Sequence, residues 1–223
     1  MFSEQRARIL ATLDEAHAAY YRAQVFGGPS LHFHLTSLRA SGERDFNRFT
    51  EQVYAVLASW GMHRMGPGGS KMRDFDDFRE SIRGVWSKAL PLQEKSDFNL
   101  SETEWLDLKE IFQGIRCMAS GTTLVGNSKV MAHLLPNLVP PIDREYTLKL
   151  LYKHGQIVNG LEREWAIFRE VLAGFFHSLA QMPSVRAKTS EWMEQQVHFK
   201  WDTSVLKILD NLVIGCRKMP GPA

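Results

Sequence analysis

The spacing of the apolar residues constrains the fold of this chain more than any other feature of its sequence. Between residues 45 and 60 they recur three or four positions apart and line one face of a helix, namely Phe46, Phe49, Val53, Val56, Leu57 and Trp60. Strict alternation of apolar and polar residues, which indicates a strand, is scarce along the whole chain. The pattern predicts an all-α protein with little or no sheet.

Residues that favour helix starts, and residues that break helices, divide this pattern into a series of helices. Ser101 and Glu104, for instance, have the spacing of a capping box, in which each side chain bonds an amide at a helix start. The predicted helices cover residues 3–25, 30–39, 45–60, 74–89, 101–118, a short stretch from 129, 144–154, 161–181, 183–196 and 204–217.

The composition is that of an ordinary globular protein. The chain has 223 residues, 44% of them hydrophobic and 23% charged, which excludes a disordered or collagen-like chain. This length suffices for one large domain or for two interlocked lobes. No run approaches the ~20 apolar residues that span a bilayer, and the charged N-terminal residues lack the apolar segment of a signal peptide. We therefore expect a cytoplasmic protein without a membrane partner.

The cysteines and histidines do not have the spacing of a metal site. Cys117 and Cys216 are each alone in an apolar helical context, and His32 and His34 are the closest histidines. A structural zinc site or an iron–sulfur cluster takes four ligands, so we expect no metal and no cofactor. Buried reduced thiols are the favoured state of both cysteines, although a disulfide stays open.

The segment 120–152 interrupts the helical pattern in an ordered way. A turn with two glycines leads to Asn127 and Ser128, which are good N-cap residues for a short helix. Three prolines then favour an extended path to Asp143, which is placed to cap the next helix. Glycines let a backbone approach another group closely, and amides at a helix start suit a phosphate. The segment therefore predicts an anion-binding turn followed by an aspartate at a helix start.

This order of elements resembles the helix-hairpin-helix DNA glycosylases. In that family a glycine-rich hairpin grips one DNA strand through backbone amides, and an invariant aspartate follows just before another helix. Residues 124–130 (Leu-Val-Gly-Asn-Ser-Lys-Val) resemble the hairpin, residues 141–145 (Pro-Ile-Asp-Arg-Glu) resemble the aspartate end, and 101–118 matches the first arm. The hairpin proline is absent, and Ser128 stands where bifunctional members carry a lysine, with Lys129 one position later.

The resemblance implies two packed helical lobes, with a helix-hairpin-helix motif and a cleft between the lobes. The motif would lie in a lobe of residues 44–155, and residues 1–43 and 156–223 would form the other lobe. It also implies a monofunctional DNA glycosylase, a monomer located in the nucleoid, which flips a damaged or modified base out of double-stranded DNA and excises it. The divergent motif suggests a specialised substrate, such as a hypermodified base in foreign DNA. The net charge of +2 is compatible with a DNA partner without indicating one.

Two residues are candidates for catalysis by this resemblance. Asp143 would orient a water molecule and stabilise the cationic sugar that develops as the glycosidic bond breaks. Its alternative role is that of a plain helix cap, and the two roles are compatible. Lys129 is either a Schiff-base nucleophile, which requires a free amine, or a contact to a phosphate.

Other residues are candidates for binding DNA. Gly126, Asn127 and Ser128 would present hairpin amides to one strand. The glycine-rich loop 62–72 carries Arg64 and Lys71, which would contact phosphates, and Met65, a candidate wedge where the base is turned out. A flexible connector is the alternative interpretation of this loop.

Aromatic residues near that loop are candidates for a base pocket. Trp60 and His63 would line this pocket, in which an extruded base is held between aromatic faces and recognised at its polar edge. His32 or His34 would also line it. Aromatic residues at helical spacing are usually core residues, so Trp60 has a structural alternative. On the long helix from 161, Glu162, Glu164 and Glu170 indicate a solvated face.

Two further functions remain open on the sequence. The same helical core would also serve as a non-catalytic DNA-binding module, with salt-dependent binding and no abasic product. A helical enzyme of unrelated chemistry is the third hypothesis, and no residue pattern favours it.

Overall fold

The computed structural model describes residues 1–24, 26–63, 71–95, 97–119 and 121–219. Within these ranges the backbone is predominantly helical, and the only strand-like pairing is an isolated bridge between Met72 and Met118. The predicted all-α class is therefore confirmed. The helices are α1 (Ser3–Ala11), α2 (Leu13–Ala23), α3 (Pro29–Gly42), α4 (Phe46–Ser59), α5 (Phe75–Gln93), α6 (Glu102–Gly114), α7 (Leu124–Leu134), α8 (Lys149–Tyr152), α9 (Leu161–Val171), α10 (Ser178–Ala180), α11 (Pro183–Glu194) and α12 (Val205–Lys218), with the π-helical turns π1 (Arg144–Leu148) and π2 (Leu172–His177).

Polar side chains cap several of these helices at positions where the sequence predicts a helix start. Ser101 and Glu104 form the predicted capping box at the start of α6. Asp74 accepts a hydrogen bond from the amide of Asp77 at the start of α5, and Ser204 accepts one from Lys207 at the start of α12. Such caps satisfy amides that have no partner inside the helix, typically stabilising it by ~1 kcal/mol each.

The predicted helix 3–25 is interrupted at Thr12. This residue has φ −134° and ψ 29°, and its amide bonds back to the carbonyl of Ile9 rather than that of Arg8. The tighter bond ends α1, and α2 begins one residue later. The prediction of one continuous helix here is wrong.

The chain groups into two compact units. Unit 1 consists of Met1–Val25, Pro140–Gln156 and Arg169–Ala223, and unit 2 consists of Phe26–Val139 and Ile157–Phe168. Residues 26–43 and 157–168, expected in the lobe of the two termini, belong to unit 2. Residues 140–155, expected in the other lobe, belong to unit 1.

Unit 1 is organised by the packing of α2 against α12. A Cβ on Gly215 of α12 would lie 1.8 Å from the carbonyl oxygen of Ala16 on α2, which no real structure tolerates. The absence of a side chain at Gly215 therefore lets the two helix backbones touch. Apolar residues of α12, including Leu206, Leu209 and Leu212, are fully or almost fully buried.

A buried polar network lies in the same unit. Asp202 is fully buried, and its carboxylate meets Nε2 of His17 at 2.7 Å and accepts from the Tyr21 hydroxyl at 3.0 Å. Asn211 donates to the same carboxylate at 2.8 Å, and Nζ of Lys207 donates to Oδ1 of Asn211 at 2.5 Å. Burying charges is costly unless each is paired and hydrogen-bonded, and this network supplies those partners.

Unit 2 is built around α7, most of whose residues are buried. Helix α3 packs against α4, α5 packs against α6, and α7 contacts α3, α4 and α6. Aromatic rings fill the space between them, with Phe112 stacked on Phe168 at 5.0 Å between ring centroids. Among the residues described, no helix combines the length and apolar character that a bilayer crossing requires.

Candidate functional site

The first arm of the predicted hairpin and the helix after it are α6 and α7, joined by residues 115–123. Helix α7 begins at Leu124, so Asn127 and Ser128 lie inside the helix. The prediction that these two residues cap it is wrong. Thr123 occupies the N-cap position, and its side chain does not cap the helix itself.

The three residues predicted to present hairpin amides face the interior of unit 2. A Cβ on Gly126 would lie 3.0 Å from Cγ and Sδ of Met118 and 3.2 Å from Sγ of Cys117, so the glycine serves close packing. Asn127 is fully buried, and Nδ2 donates to the carbonyls of Phe112 and Ile115 at 2.8 and 3.0 Å.

Asn127 thereby ties α7 to the end of α6. Its two amide protons satisfy carbonyls that lie at the C-terminal end of α6, where intrahelical partners run out. Ser128 donates to the carbonyl of Val125 at 3.0 Å, within its own helix. Both side chains are used inside the unit rather than at its surface.

The first amides of α7 are bound by a carboxylate of the protein itself. Oε2 of Glu164 accepts from the backbone amides of Thr123 at 2.6 Å and Leu124 at 2.7 Å, and from the Thr123 hydroxyl at 3.1 Å. Its other oxygen accepts from the amide of Gly160 at 3.2 Å, and the residue is 1% exposed. The expectation of a solvated Glu164 is wrong. An anion from α9 already occupies the position that a helix start offers to a phosphate.

Lys71 is exposed and lies beside the α6–α7 connector. Its carbonyl accepts from the amide of Ala119 at 2.9 Å, and the amide of Arg73 donates to the carbonyl of Cys117 at 3.0 Å. This short antiparallel pairing joins the end of the glycine-rich loop to the connector, so Lys71 and the connector belong to one surface. Arg64 and Met65 lie outside the described residues.

A cluster of Trp60, Lys129, His34 and His133, here called the Trp60 cluster, forms where α3, α4 and α7 meet. Nζ of Lys129 lies 5.3 Å from the Trp60 ring centroid, and the rings of His133 and His34 lie 5.4 and 6.2 Å from it. Trp60 and Lys129 are half-buried, whereas both histidines are buried. A cation over an indole face is attracted to the ring, typically by ~0.5–2 kcal/mol, and this favours the protonated amine of Lys129.

The two buried histidines are linked in a defined direction. Nδ1 of His133 meets the carbonyl oxygen of Lys129 at 2.7 Å, and a carbonyl oxygen only accepts, so this nitrogen carries a proton. In a neutral His133, Nε2 is then an acceptor, and Nδ1 of His34 donates to it at 2.9 Å. His32 is exposed, as expected for two histidines at i and i+2, which cannot both be buried on one face of a helix.

His63 lies just beyond the end of α4, and its ring bonds that helix. Its Nδ1 lies 2.5 Å from the carbonyl oxygen of Ala58 in the last turn of α4, and the same oxygen accepts from the amide of Gly61 at 2.9 Å. The side chain is exposed. Of the four residues predicted for a base pocket, Trp60 and His34 lie in the Trp60 cluster, His63 bonds the last turn of α4, and His32 is exposed.

Asp143 stands at the start of π1 in unit 1, where the sequence places it. Its Oδ1 accepts from the amides of Glu145 at 2.7 Å and Tyr146 at 3.2 Å, and its own amide donates to Oγ1 of Thr147 at 3.3 Å. The side chain is half-buried. These bonds fix the orientation of the carboxylate. The π-helical turn that follows is a rare geometry that occurs frequently at functional sites.

Neither cysteine has the environment of a reactive thiol. Both are buried, and burial raises the pKa of the Cys117 thiol to about 12 although the charge of Lys129 opposes this. Within the described ranges, no group of three or more histidine, cysteine, aspartate or glutamate side chains is arranged to hold a metal ion.

Sequence reasoning missed Glu164, Asn127 and His133 as organising residues. Each makes its contacts with a segment that is distant in sequence or with the backbone, and no local spacing marks such a partner. No protein-family model, curated protein or solved structure matches this chain, so a functional assignment depends on the residues and geometry described above.

Proposed function

We propose that this protein is a DNA N-glycosylase that excises a damaged or modified base, with Asp143 assisting the cleavage. The observation that carries the proposal is the fixed carboxylate of Asp143 at the head of π1. A charge that is already oriented stabilises a developing cation without the cost of reorganisation during the reaction. In the reaction, water adds to the sugar carbon, the glycosidic bond breaks towards the base, and the base takes up a proton.

The surface around the α6–α7 connector supports DNA binding in unit 2. Lys71 is exposed beside the connector, and Nζ of Lys129 lies over the Trp60 ring. A nucleophilic lysine needs a free amine, whereas contact with an indole face favours the charged form of a lysine. We therefore assign Lys129 to phosphate binding and propose a monofunctional enzyme.

The geometry at Asp143 fits equally well a second candidate, a DNA-binding module in which this carboxylate has no chemical role. A carboxylate whose Oδ1 accepts two amides at a helix start is what an ordinary N-cap provides. Binding in this case would depend on salt and would leave every base in place.

Base release separates the two candidates. The protein is incubated with duplexes that carry a panel of damaged and modified bases, and alkali then cleaves each strand that contains an abasic site. The glycosylase proposal expects cleavage of at least one substrate and no covalent adduct after borohydride treatment. Binding to every duplex without cleavage of any would favour the module.

A further inference from the structure

The C-terminal end of α12 lies beside π1, and both belong to unit 1. Nζ of Lys218 lies 5.6 Å from the ring centroid of Tyr146, the third residue of π1. Nζ of Lys149 lies 2.5 Å from the Glu145 carboxylate. Cations from two separate segments therefore surround one short turn that starts at Asp143.

We call Lys149, Arg217 and Lys218 the α12 basic cluster. The hydrogen bond from Lys149 lowers the pKa of Glu145, and the charges of Lys149, Arg217 and Lys218 lower it further. All three cations thus act on one carboxylate. The three cations outnumber the two carboxylates of this turn, Asp143 and Glu145, and the excess positive charge faces solvent because Arg217 and Lys218 are both exposed.

Four cations from three helices lie at or near the C-terminal end of α12, although each of them also has a local structural role. The helix dipole favours Arg217 and Lys218 in the last turn of α12. Lys149 of α8 pairs with Glu145 one turn away, and the guanidinium of Arg8 in α1 donates to the carbonyl of Cys216 at 3.2 Å. Charges brought together from α1, α8 and α12 repel one another, and an anionic partner would relieve that repulsion.

We propose that the α12 basic cluster binds the phosphate backbone of nucleic acid, with Tyr146 as an aromatic neighbour of the bound phosphates. The assignment rests on the proposed function in taking duplex DNA as the partner. Lys and Arg side chains clustered on one surface are the usual electrostatic footprint of a protein that binds nucleic acid. An anionic membrane fits less well, because membrane-surface helices insert an exposed apolar face and the apolar residues of α12 are buried.

The salt dependence of binding tests this assignment. Each phosphate that a cation neutralises releases counterions, so removing one such cation makes the slope of log affinity against log salt shallower by about one unit. A short fluorescent DNA duplex is titrated by anisotropy with the wild-type chain and with Arg217→Ala/Lys218→Ala. We expect the slope to become shallower by about two units, with roughly tenfold weaker binding at low salt.

Arg22→Ala/Lys200→Ala is the matched control, because both residues are exposed and belong to unit 1. The double substitution removes the same amount of positive charge. It should leave the slope unchanged, and Arg217→Lys/Lys218→Arg should retain the wild-type slope. The assignment is overturned by an unchanged slope in the alanine variant, by an equal effect in the control, or by no DNA binding in the wild type. It is also overturned if the alanine variant loses binding only to phosphatidylserine vesicles.

The outcome is independent of base excision. If the wild type binds DNA but releases no base, a shallower slope in Arg217→Ala/Lys218→Ala still supports the cluster while the glycosylase proposal fails. If abasic product forms and the slope is unchanged, the cluster assignment fails while the glycosylase proposal stands.

Discussion

Oε2 of Glu164 accepts a hydrogen bond from the backbone amide of Leu124 at 2.7 Å, which places a buried negative charge at the first residue of α7. The same oxygen also accepts from the amide and hydroxyl of Thr123. A negative charge at this end of a helix interacts favourably with the helix dipole. Because the carboxylate comes from α9, it connects two helices far apart in the sequence of unit 2.

Replacing Glu164 by Gln should destabilise unit 2. The substitution keeps the shape but replaces one acceptor oxygen with a donor group, which leaves at least one buried amide without a partner. We expect a decrease of about 2 kcal/mol in the free energy of unfolding, measured by denaturant titration. Glu162→Gln is the control, because that side chain is 72% exposed, and its effect should stay within about 0.5 kcal/mol. Equal stability of the two variants would contradict the capping role.

Gly126 should tolerate a small side chain better than a branched one. A Cβ would press on Met118 and Cys117 at 3.0–3.2 Å, and the flexible Met118 side chain can adjust to a single methyl group. Gly126→Ala should therefore be close to neutral in thermal unfolding, since alanine also favours the helix by ~1 kcal/mol. Gly126→Val should lower stability by about 1–3 kcal/mol through overpacking.

Gly84 provides the comparison for Gly126. It lies inside α5, and a Cβ there would meet nothing within 4 Å. Gly84→Ala should raise the melting temperature, because it gains helix propensity without a clash. A DNA-binding defect in Gly126→Ala with unchanged stability would instead support the sequence-based prediction of a backbone contact to phosphate.

The helices were predictable because their signals are local. The capping box at Ser101, the cap at Asp74 and the apolar face of residues 46–60 each require only a few neighbouring residues, and the structure confirms them. The break at Thr12 was not predictable, because the apolar pattern continues through it. The start of α7 was also misplaced, since its cap is a carboxylate forty residues later in the chain.

The candidate site was predictable only where local sequence determines the geometry. Asp143 caps the following turn as predicted, because an aspartate before a helix bonds amides two and three residues on. Asn127 and Ser128 are equally good cap residues, but α7 begins before them at Leu124. Both therefore lie inside the helix and are buried. The Trp60 cluster was not predictable, because Trp60 and His34 come from segments distant in the sequence from α7, which carries Lys129 and His133.

Lys207 should be essential to the stability of unit 1. It is buried, and Nζ donates to the carboxylate of Asp210 at 2.7 Å and to Asn211. Lys207→Met would remove the cation and leave Asp210 buried without it, which typically costs ~3–5 kcal/mol. Lys200→Met, at an exposed position in the same unit, should change stability by less than about 0.5 kcal/mol in the same denaturant titration.

The stability of unit 1 should also fall in alkaline solution. Burial raises the pKa of Tyr20 from 10.0 to about 12, so the folded chain holds this proton more tightly than the unfolded chain. The free energy of unfolding therefore keeps its full value below pH 10 and falls as the pH rises through 12. The total loss is about 3 kcal/mol for a shift of this size. Tyr20→Phe has no proton to lose, so its unfolding free energy should decline less steeply between pH 10 and 12. Parallel curves for the two chains would contradict this assignment.

The role of Asp143 is tested most directly by a substitution that removes its charge but keeps its capping hydrogen bonds. In Asp143→Asn the side-chain Oδ1 can still accept from the amides of Glu145 and Tyr146, so stability should be nearly unchanged. If the carboxylate assists cleavage as proposed, the substitution removes the charge that stabilises the sugar cation, and removing one such electrostatic interaction typically lowers the rate by ~10²–10³. Base release is measured by alkaline strand cleavage under single-turnover conditions.

Lys129→Ala provides the contrast to Asp143→Asn. If Lys129 only binds a phosphate, the variant should bind DNA more weakly, with a salt slope shallower by about one unit, while product still forms at saturating protein. Borohydride should trap no adduct with either chain. An adduct that forms with the wild type and disappears in Lys129→Ala would identify Lys129 as the nucleophile. Full excision activity in Asp143→Asn would show that the carboxylate is a helix cap and nothing more.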